Sequence, residues 1–238
     1  MSLALVQHAQ NKANSNTVTV TLASTGAGNT LIVCYWGGLS GTDTDLTGVT
    51  LGGSGTGFSS QASLVSSAVN GGIVSVWANY SIAGGQTSLV ATAASGNDPI
   101  SIDAYEVSGG LKGLDKSASN YVNGTAAAWT SGATGTTGFP AEFWVGIMGG
   151  YNNAGPSPTL SGPGGSWTSE TAQFPATGQF GFSGYQVTAT PAAATWSGSS
   201  NMTGTNNNYL ALVATFYQAG NPARSRVYSQ AVNRASTY

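Results

Sequence analysis

Histidine and cysteine each occur once in the 238 residues, and Asp, Glu, Lys and Arg together make up 6% of the chain. A single cysteine excludes an intramolecular disulfide, and a metal centre built from several His and Cys ligands is excluded by count. Cys34 sits inside an unbroken apolar run, where it reads as a small buried hydrophobe and not as a nucleophile. His8 lies in the polar stretch HAQNKANSN, so a Ser-His-Asp triad would need it to fold back onto a serine and an acid. No G-x-S-x-G elbow stands between an apolar strand and a helix. The chain has no apolar run of about 18 residues, the length of a membrane-crossing helix. Met1 to Val6 lacks the charged start and apolar core of a secretory signal. The expected setting is neither membrane nor Sec export: the chain is made in its host's cytoplasm.

Acids are too scarce and too scattered to announce catalysis. A glycosidase needs two carboxyls facing each other across a cleft, and the available acids are Asp43, Asp45, Asp98, Asp103, Glu106, Asp115, Glu142 and Glu170. Asp103 and Glu106 share a strand but lie three residues apart, which points them to opposite faces. Asp43 and Asp45 in GTDTDLTG offer oxygen ligands for calcium without the spacing or terminal Glu of an EF-hand, and read as polar turn residues. The stretch LGGSGTGF has no following Lys-Ser/Thr and opens no helix, so it is no phosphate loop. The expectation is a chain that is not an enzyme and carries no cofactor or metal.

What the chain does have is glycine, 35 residues of it, together with Ser, Thr and enough Trp, Tyr and Phe to build a core. The run Asn29 to Gly38, NTLIVCYWGG, is apolar from Leu31 to Trp36 without a polar break, which marks a strand buried on both faces. The pattern returns at Ala141 to Gly150, AEFWVGIMGG, with Phe143 standing 112 residues after Leu31. Other elements recur in the same order. TGFSSQA is answered by GGSWTSETA, GGIVSVWANYSIA by GQFGFSGYQVTA, TSLVATA by ATWSGS, and ISIDAYEV by YLALVATF. Ordered recurrence of this kind indicates internal duplication. With short strands, glycine turns and no helical period, the chain is expected to be all-β, a jelly-roll-like sandwich built from two pseudo-repeats, 17–109 and 125–219. Two tandem Ig-like sandwiches are the alternative. Residues 1–16 read as an N-terminal arm or an edge strand. The segment from Gly109 to Trp129 carries Leu111, Leu114, Tyr121 and Trp129 and reads as packing, which favours one domain over 17–219.

Charge is distributed unevenly. Residues 1–219 hold three lysines against all eight acids, while 220–238 hold Arg224, Arg226 and Arg234 and no acid. Three arginines make a small electrostatic term with no base-stacking surface beside them, so nucleic acid is not the expected partner. The basic C-terminal arm is expected to dock on a neighbouring subunit, with those arginines as assembly contacts. Exposed aromatics offer a second possibility, a sugar-stacking platform for a host-surface glycan, for which Trp129 and Tyr151 are the candidates.

The ordered set NTLIV, a G-x-F/W segment, SVWANYSIAGG, DAYEVSG and a closing LALVATF resembles a family of Gly/Ser/Thr-rich duplicated β-sandwich proteins of tailed bacteriophages, known as capsid-decoration or tail proteins. The resemblance covers about residues 17–219. It implies a virion structural protein whose partners are other capsid or tail subunits and copies of itself in a homo-oligomer, and it carries no catalytic residue. The alternatives are a carbohydrate-binding adhesion module and a self-assembling surface-layer or filament protein.

Overall fold

The computed structural model describes residues 2–38, 46–55, 57–66, 72–93, 99–124, 128–152, 157–202 and 207–218. Among them there is no helix, and the strands divide evenly between two halves. The first half holds β1 (Ala4–Ala13), β2 (Thr17–Thr21), β3 (Thr30–Gly37), β4 (Leu46–Leu51), β5 (Ser59–Val65), β6 (Ile73–Asn79), β7 (Ser88–Ala93) and β8 (Ile100–Ser108). The second holds β9 (Leu111–Asn123), β10 (Ala128–Ala133), β11 (Glu142–Tyr151), β12 (Leu160–Ser161), β13 (Thr168–Ser169), β14 (Gln179–Thr188), β15 (Thr195–Ser200) and β16 (Asn208–Gln218).

The first half forms an antiparallel sheet β1-β8-β3-β6-β5 and a smaller one, β2-β7-β4; the second forms β9-β16-β11-β14-β13 and β10-β15-β12. Each strand of the first half therefore has its counterpart eight places on. The all-β sandwich expected from the duplication is what the chain builds, and each half closes as its own eight-stranded, jelly-roll-like unit. Among the described residues, no sheet mixes strands of the two halves. The repeats start earlier than the sequence suggests, at β1 and β9. Residues 4–13 are the edge-strand version of the N-terminal segment, hydrogen-bonded along β8, and the packing segment after Gly109 is the matching edge strand along β16.

The two five-stranded sheets lie against each other, so the layers run three, five, five, three strands. Three hydrophobic cores fill the gaps. Leu31, Val33 and Tyr35 of β3 enter the first, between β3's sheet and β2-β7-β4. Ile32, Cys34 and Trp36 enter the middle one, where Phe143, Val145 and Ile147 of β11 meet them. Trp129, Trp144, Phe182 and Trp196 dominate the third. Successive residues of a strand point to opposite faces, so a strand lying between two cores has no polar face. This is the physical reason for the apolar runs of β3 and β11; β8 and β16 are likewise buried almost end to end, β8 with Asp103 and Glu106 inside its run.

Strand register corrects the spacing of the repeat. Ile32 pairs with Tyr105 and Phe143 with Phe216, so β3 and β11 correspond at a shift of 111. Matching Leu31 to Phe143 at 112 joins residues from different cores, because a one-residue slip turns a strand over.

Across the middle core the sheets stack strand on strand: β8 over β14, β3 over β11, β6 over β16, and β5 beside β9. Exchanging the halves turns β8 over β14 into β6 over β16 and leaves β3 over β11 in place, so the centre of the stack has the form of an isologous, two-fold interface within one chain, while β5 beside β9 corresponds to the rim where His8 of β1 meets Glu170 after β13. Close approach at its centre depends on glycine. A Cβ at Gly149 would stand 1.6 Å from Cδ1 of Trp36, and one at Gly181 would stand 2.1 Å from Ser101 Oγ. Trp36 thus occupies a notch in the opposing sheet.

Gly149→Ala is expected to lower the stability to chemical denaturation by about 1–3 kcal/mol through overpacking. Gly48→Ala, at a site with nothing within 4 Å of the added Cβ, is the control and is expected to leave the midpoint unchanged or slightly raised. Equal effects of the two substitutions would show that Trp36 is not confined by the notch.

Candidate functional site

The isolated acids of the sequence are not isolated in the fold. His8 stands on β1 beside Tyr105 of β8, with the two rings stacked at a centroid distance of 4.7 Å. Its Nε2 lies 2.9 Å from Asp103 Oδ1 and its Nδ1 lies 3.2 Å from Glu170 Oε2. Asp103 is on β8 of the first unit. Glu170 follows β13 of the second, its backbone N–H donating to Ser183 O at 2.9 Å. Gln173 closes the cluster, its Nε2 donating to Asp103 Oδ2 at 3.2 Å and to Ile102 O at 3.1 Å. Tyr105 OH and Ser183 Oγ share a hydrogen bond of 2.6 Å. The cluster therefore bridges the two sandwiches at one rim of the middle core.

Asp103 has 3% of its side chain exposed, whereas His8 and Glu170 keep 16% and 18%, so protons can exchange with solvent there. Burial raises the Glu170 carboxyl above its ordinary value; His8 opposes the rise and Asp103 adds to it. Burial also holds the Tyr105 hydroxyl and the Cys34 thiol up, with Asp103 adding to both. Both imidazole nitrogens face carboxylates, which in this geometry leaves neither to take a proton from a serine. The same engagement keeps the three groups from converging on one ion, and no group of three or more His, Cys, Asp or Glu suited to a metal is found among the described residues.

Two further carboxylates are joints. Glu106, fully buried, accepts from the side chain of Gln7, from the Gly26 backbone N–H at 2.7 Å and from Asn29 Nδ2 at 2.6 Å. Gln7 also accepts from the Ala23 N–H at 2.7 Å, so this knot ties β1 to the β2–β3 turn. Asp103 and Glu106 do point to opposite sides, the first into the middle seam and the second towards that turn. In the second unit Glu142 accepts from Trp144 Nε1 at 2.9 Å and Asp115 accepts from the Gly138 N–H. Glu142 is pushed up to about 7, chiefly by burial, with the Trp144 bond opposing and the neighbouring Asp115 carboxyl reinforcing the rise.

The glycan candidates separate. Trp129 is a correction: it is 1% exposed, its Nε1 donates to Ser199 O, and its ring packs on Phe182 and Trp196 in the third core. A ring with no free face cannot stack on a sugar, so of the two readings of Trp129 the packing one holds, on β10. Tyr151 is half-buried at the end of β11. Trp167 packs on Trp144 and Trp196. Arg224, Arg226 and Arg234 lie outside the described residues, as do Asp43, Asp45 and Asp98. The signal that could have exposed the His8 cluster was the repeat itself. Extending it back over β1 places His8 at a core-facing position, opposite Leu114 of the other half.

The Glu142 carboxyl sets a pH dependence of known sign. Its folded value, about 7, exceeds its ordinary 4.5, so between those values the folded chain keeps a proton that the unfolded chain has lost. Stability therefore falls as pH rises across this window and levels off above it. Glu142→Gln is expected to flatten the decline in denaturation midpoint between about pH 5 and about pH 8. It should also leave the variant at least as stable as the parent at the upper end. An unchanged slope would assign the titration to another group.

Comparison of the chain with protein-family models, with curated proteins and with solved structures finds no match, so the reading of this site rests on its own geometry.

Proposed function

We propose that this chain is a non-enzymatic structural subunit of a phage particle, decorating its capsid or forming part of its tail. The observation that carries the reading is the four-layer stack of two jelly-roll-like units that share a continuous middle core. Such a body is stiff, because both inner sheets are covered on both faces and neither unit can turn without opening that core. Jelly rolls serve in viral capsids and in lectins, and the sequence pattern resembles the former.

The surface supports the same reading. Of the acids described, Asp103, Glu106 and Glu142 are buried, so a chain with 6% charged residues presents even fewer of them to solvent. A neutral face of Ser, Thr, Gly and Asn suits close lateral packing among many copies, where charge repulsion would otherwise accumulate. Residues 220–238 carry the positive charge and are the segment we assign to contacts with neighbouring virion subunits.

Light scattering on the purified full chain is expected to give a monomer or a small closed oligomer. Removal of residues 221–238 is expected to leave the circular dichroism spectrum unchanged and to abolish incorporation into particles. Open-ended assembly that depends on those residues would replace the proposal with a filament or surface layer. Saturable binding on a glycan array, lost in Tyr151→Ala, would replace it with an adhesion module.

A further inference from the structure

The two-fold relation between the units supplies an internal control on the His8 cluster. Strand pairing maps His8 to Leu114 and Tyr105 to Phe216, since each pair lies side by side in its own sheet. It maps Asp103 to Ala214 through their partners Cys34 and Val145. On the facing sheet, Ser183 pairs with Ile147 and Val74 with Trp36. Leu64, paired with Val74, then stands where Glu170 stands beside Ser183. All five counterparts, Leu114, Phe216, Ala214, Val74 and Leu64, belong to or pack on the middle core. One rim of the interface is thus sealed by hydrocarbon and the equivalent rim by a histidine, two carboxyls and two hydroxyls. The fold does not require polar groups at these positions. Buried ionic clusters are in general no more stabilising than apolar residues of similar volume, so stability alone does not account for the difference.

We propose that the β1 rim is a proton-operated latch, holding the N-terminal strand and the second sandwich together while protonated and loosening when a proton leaves. The argument is a hydrogen count. Each imidazole nitrogen faces a carboxylate oxygen, and each of the two contacts needs one hydrogen. An imidazolium between two carboxylates provides both, and so does a neutral imidazole between one carboxylate and one carboxylic acid. Either arrangement has a net charge of minus one. Removal of one proton leaves a single hydrogen for two contacts and a net charge of minus two at a rim where Asp103 is almost fully buried.

The groups facing the cluster from every packed element are accounted for. Asp103 and Tyr105 come from β8, Cys34 from β3, Glu170 from the end of β13, and Tyr185 from β14, its ring 5.7 Å from that of Tyr105. Burial holds Tyr105 and Cys34 neutral over the physiological range. None of these neighbours is cationic, so among the described residues no charge replaces the lost proton. The raised Glu170 carboxyl agrees in sign: a group whose folded value lies above its ordinary one contributes stability that is lost as pH rises.

The sole histidine makes the latch directly observable, because every imidazole 15N signal in a spectrum of the full chain belongs to His8. Its protonation is to be followed alongside hydrogen exchange of the β1 amides between about pH 5 and about pH 9, a range that spans imidazole titration. Exchange is corrected for its intrinsic pH dependence, and β5, at the apolar rim, is the reference strand. The opening constant of β1 relative to β5 is expected to rise by up to about tenfold per pH unit as pH approaches the midpoint of the change in the imidazole signals, and to level off above it. The triple variant His8→Leu, Asp103→Ala, Glu170→Leu copies the apolar rim and is expected to hold β1 closed with no such slope. A β1 opening constant that tracks β5 at every pH in the wild-type chain overturns the latch, whether or not the variant folds. A slope that survives in the triple variant overturns it as well.

Discussion

Face-to-face stacking of the two five-stranded sheets is the constraint on which the rest of this molecule depends. A sheet between two cores has no solvent face, so β3, β8, β11 and β16 are mostly apolar on both sides, and the polar residues they do carry, Asp103, Glu106 and Glu142 among them, are held by hydrogen bonds. The same stacking sets the sheet separation, and Trp36 is too large for that separation unless the opposing strand gives way. Gly149 and Gly181 are the response. Glycine weakens a strand interior on its own account, and here that cost is offset by the seating of an indole in the interface between the two units.

The two units are alike in topology and differ in how they fill their cores. Where the first places Val18 opposite Ala91, the second places Trp129 opposite Gly198. A Cβ at Gly198 would meet the Trp129 ring at 2.5 Å. Leu89 of the first core has Trp196 as its counterpart in the third, and Gly146 and Gly184 leave room for it. Large residues were accommodated by small ones across the same pair of strands, which keeps the filled volume near that of a close-packed interior. Divergence of this kind hides a repeat from residue-by-residue comparison while preserving every strand pairing.

That history decides which features could be read from the sequence. The all-β class, the duplication and the doubly buried strands were legible because each leaves a local imprint: alternation, ordered recurrence, and an apolar run with no break. The phase of the repeat was legible only to within one residue, since Leu31 and Phe143 are both large and apolar and nothing local says which core each enters. Trp129 could be read both as packing and as a sugar-stacking aromatic because its partners Phe182, Ser199 and Trp196 lie more than 50 residues away in sequence. The His8 cluster was hidden for a similar reason. His8 and Asp103 come from two strands of one unit and Glu170 from just after a strand of the other, and β1 looked like a polar arm because most of its residues after Val6 are polar, His8 on the seam side among them.

Charge in this chain is spent on joints. Asp103 and Glu170 meet His8 across the two units, Glu106 ties β1 to the β2–β3 turn, and Asp115 with Glu142 fastens the corresponding turn of the second unit. A buried carboxylate adds little net stability, but it is demanding about geometry: its oxygens accept only where donors stand, so a slipped strand or a misplaced turn leaves it unpaired at a cost of several kcal/mol. In a duplicated protein this matters more than usual. Each strand of one unit has a near-copy in the other with which it could pair by mistake, and hydrophobic pattern alone does not tell the two apart. Carboxylates placed differently in the two halves, at Asp103 and Glu106 in one and at Asp115 and Glu142 in the other, give each edge strand and each turn one set of partners. The same placement takes Asp103, Glu106 and Glu142 out of solvent, so the groups that specify the fold add little charge to its surface.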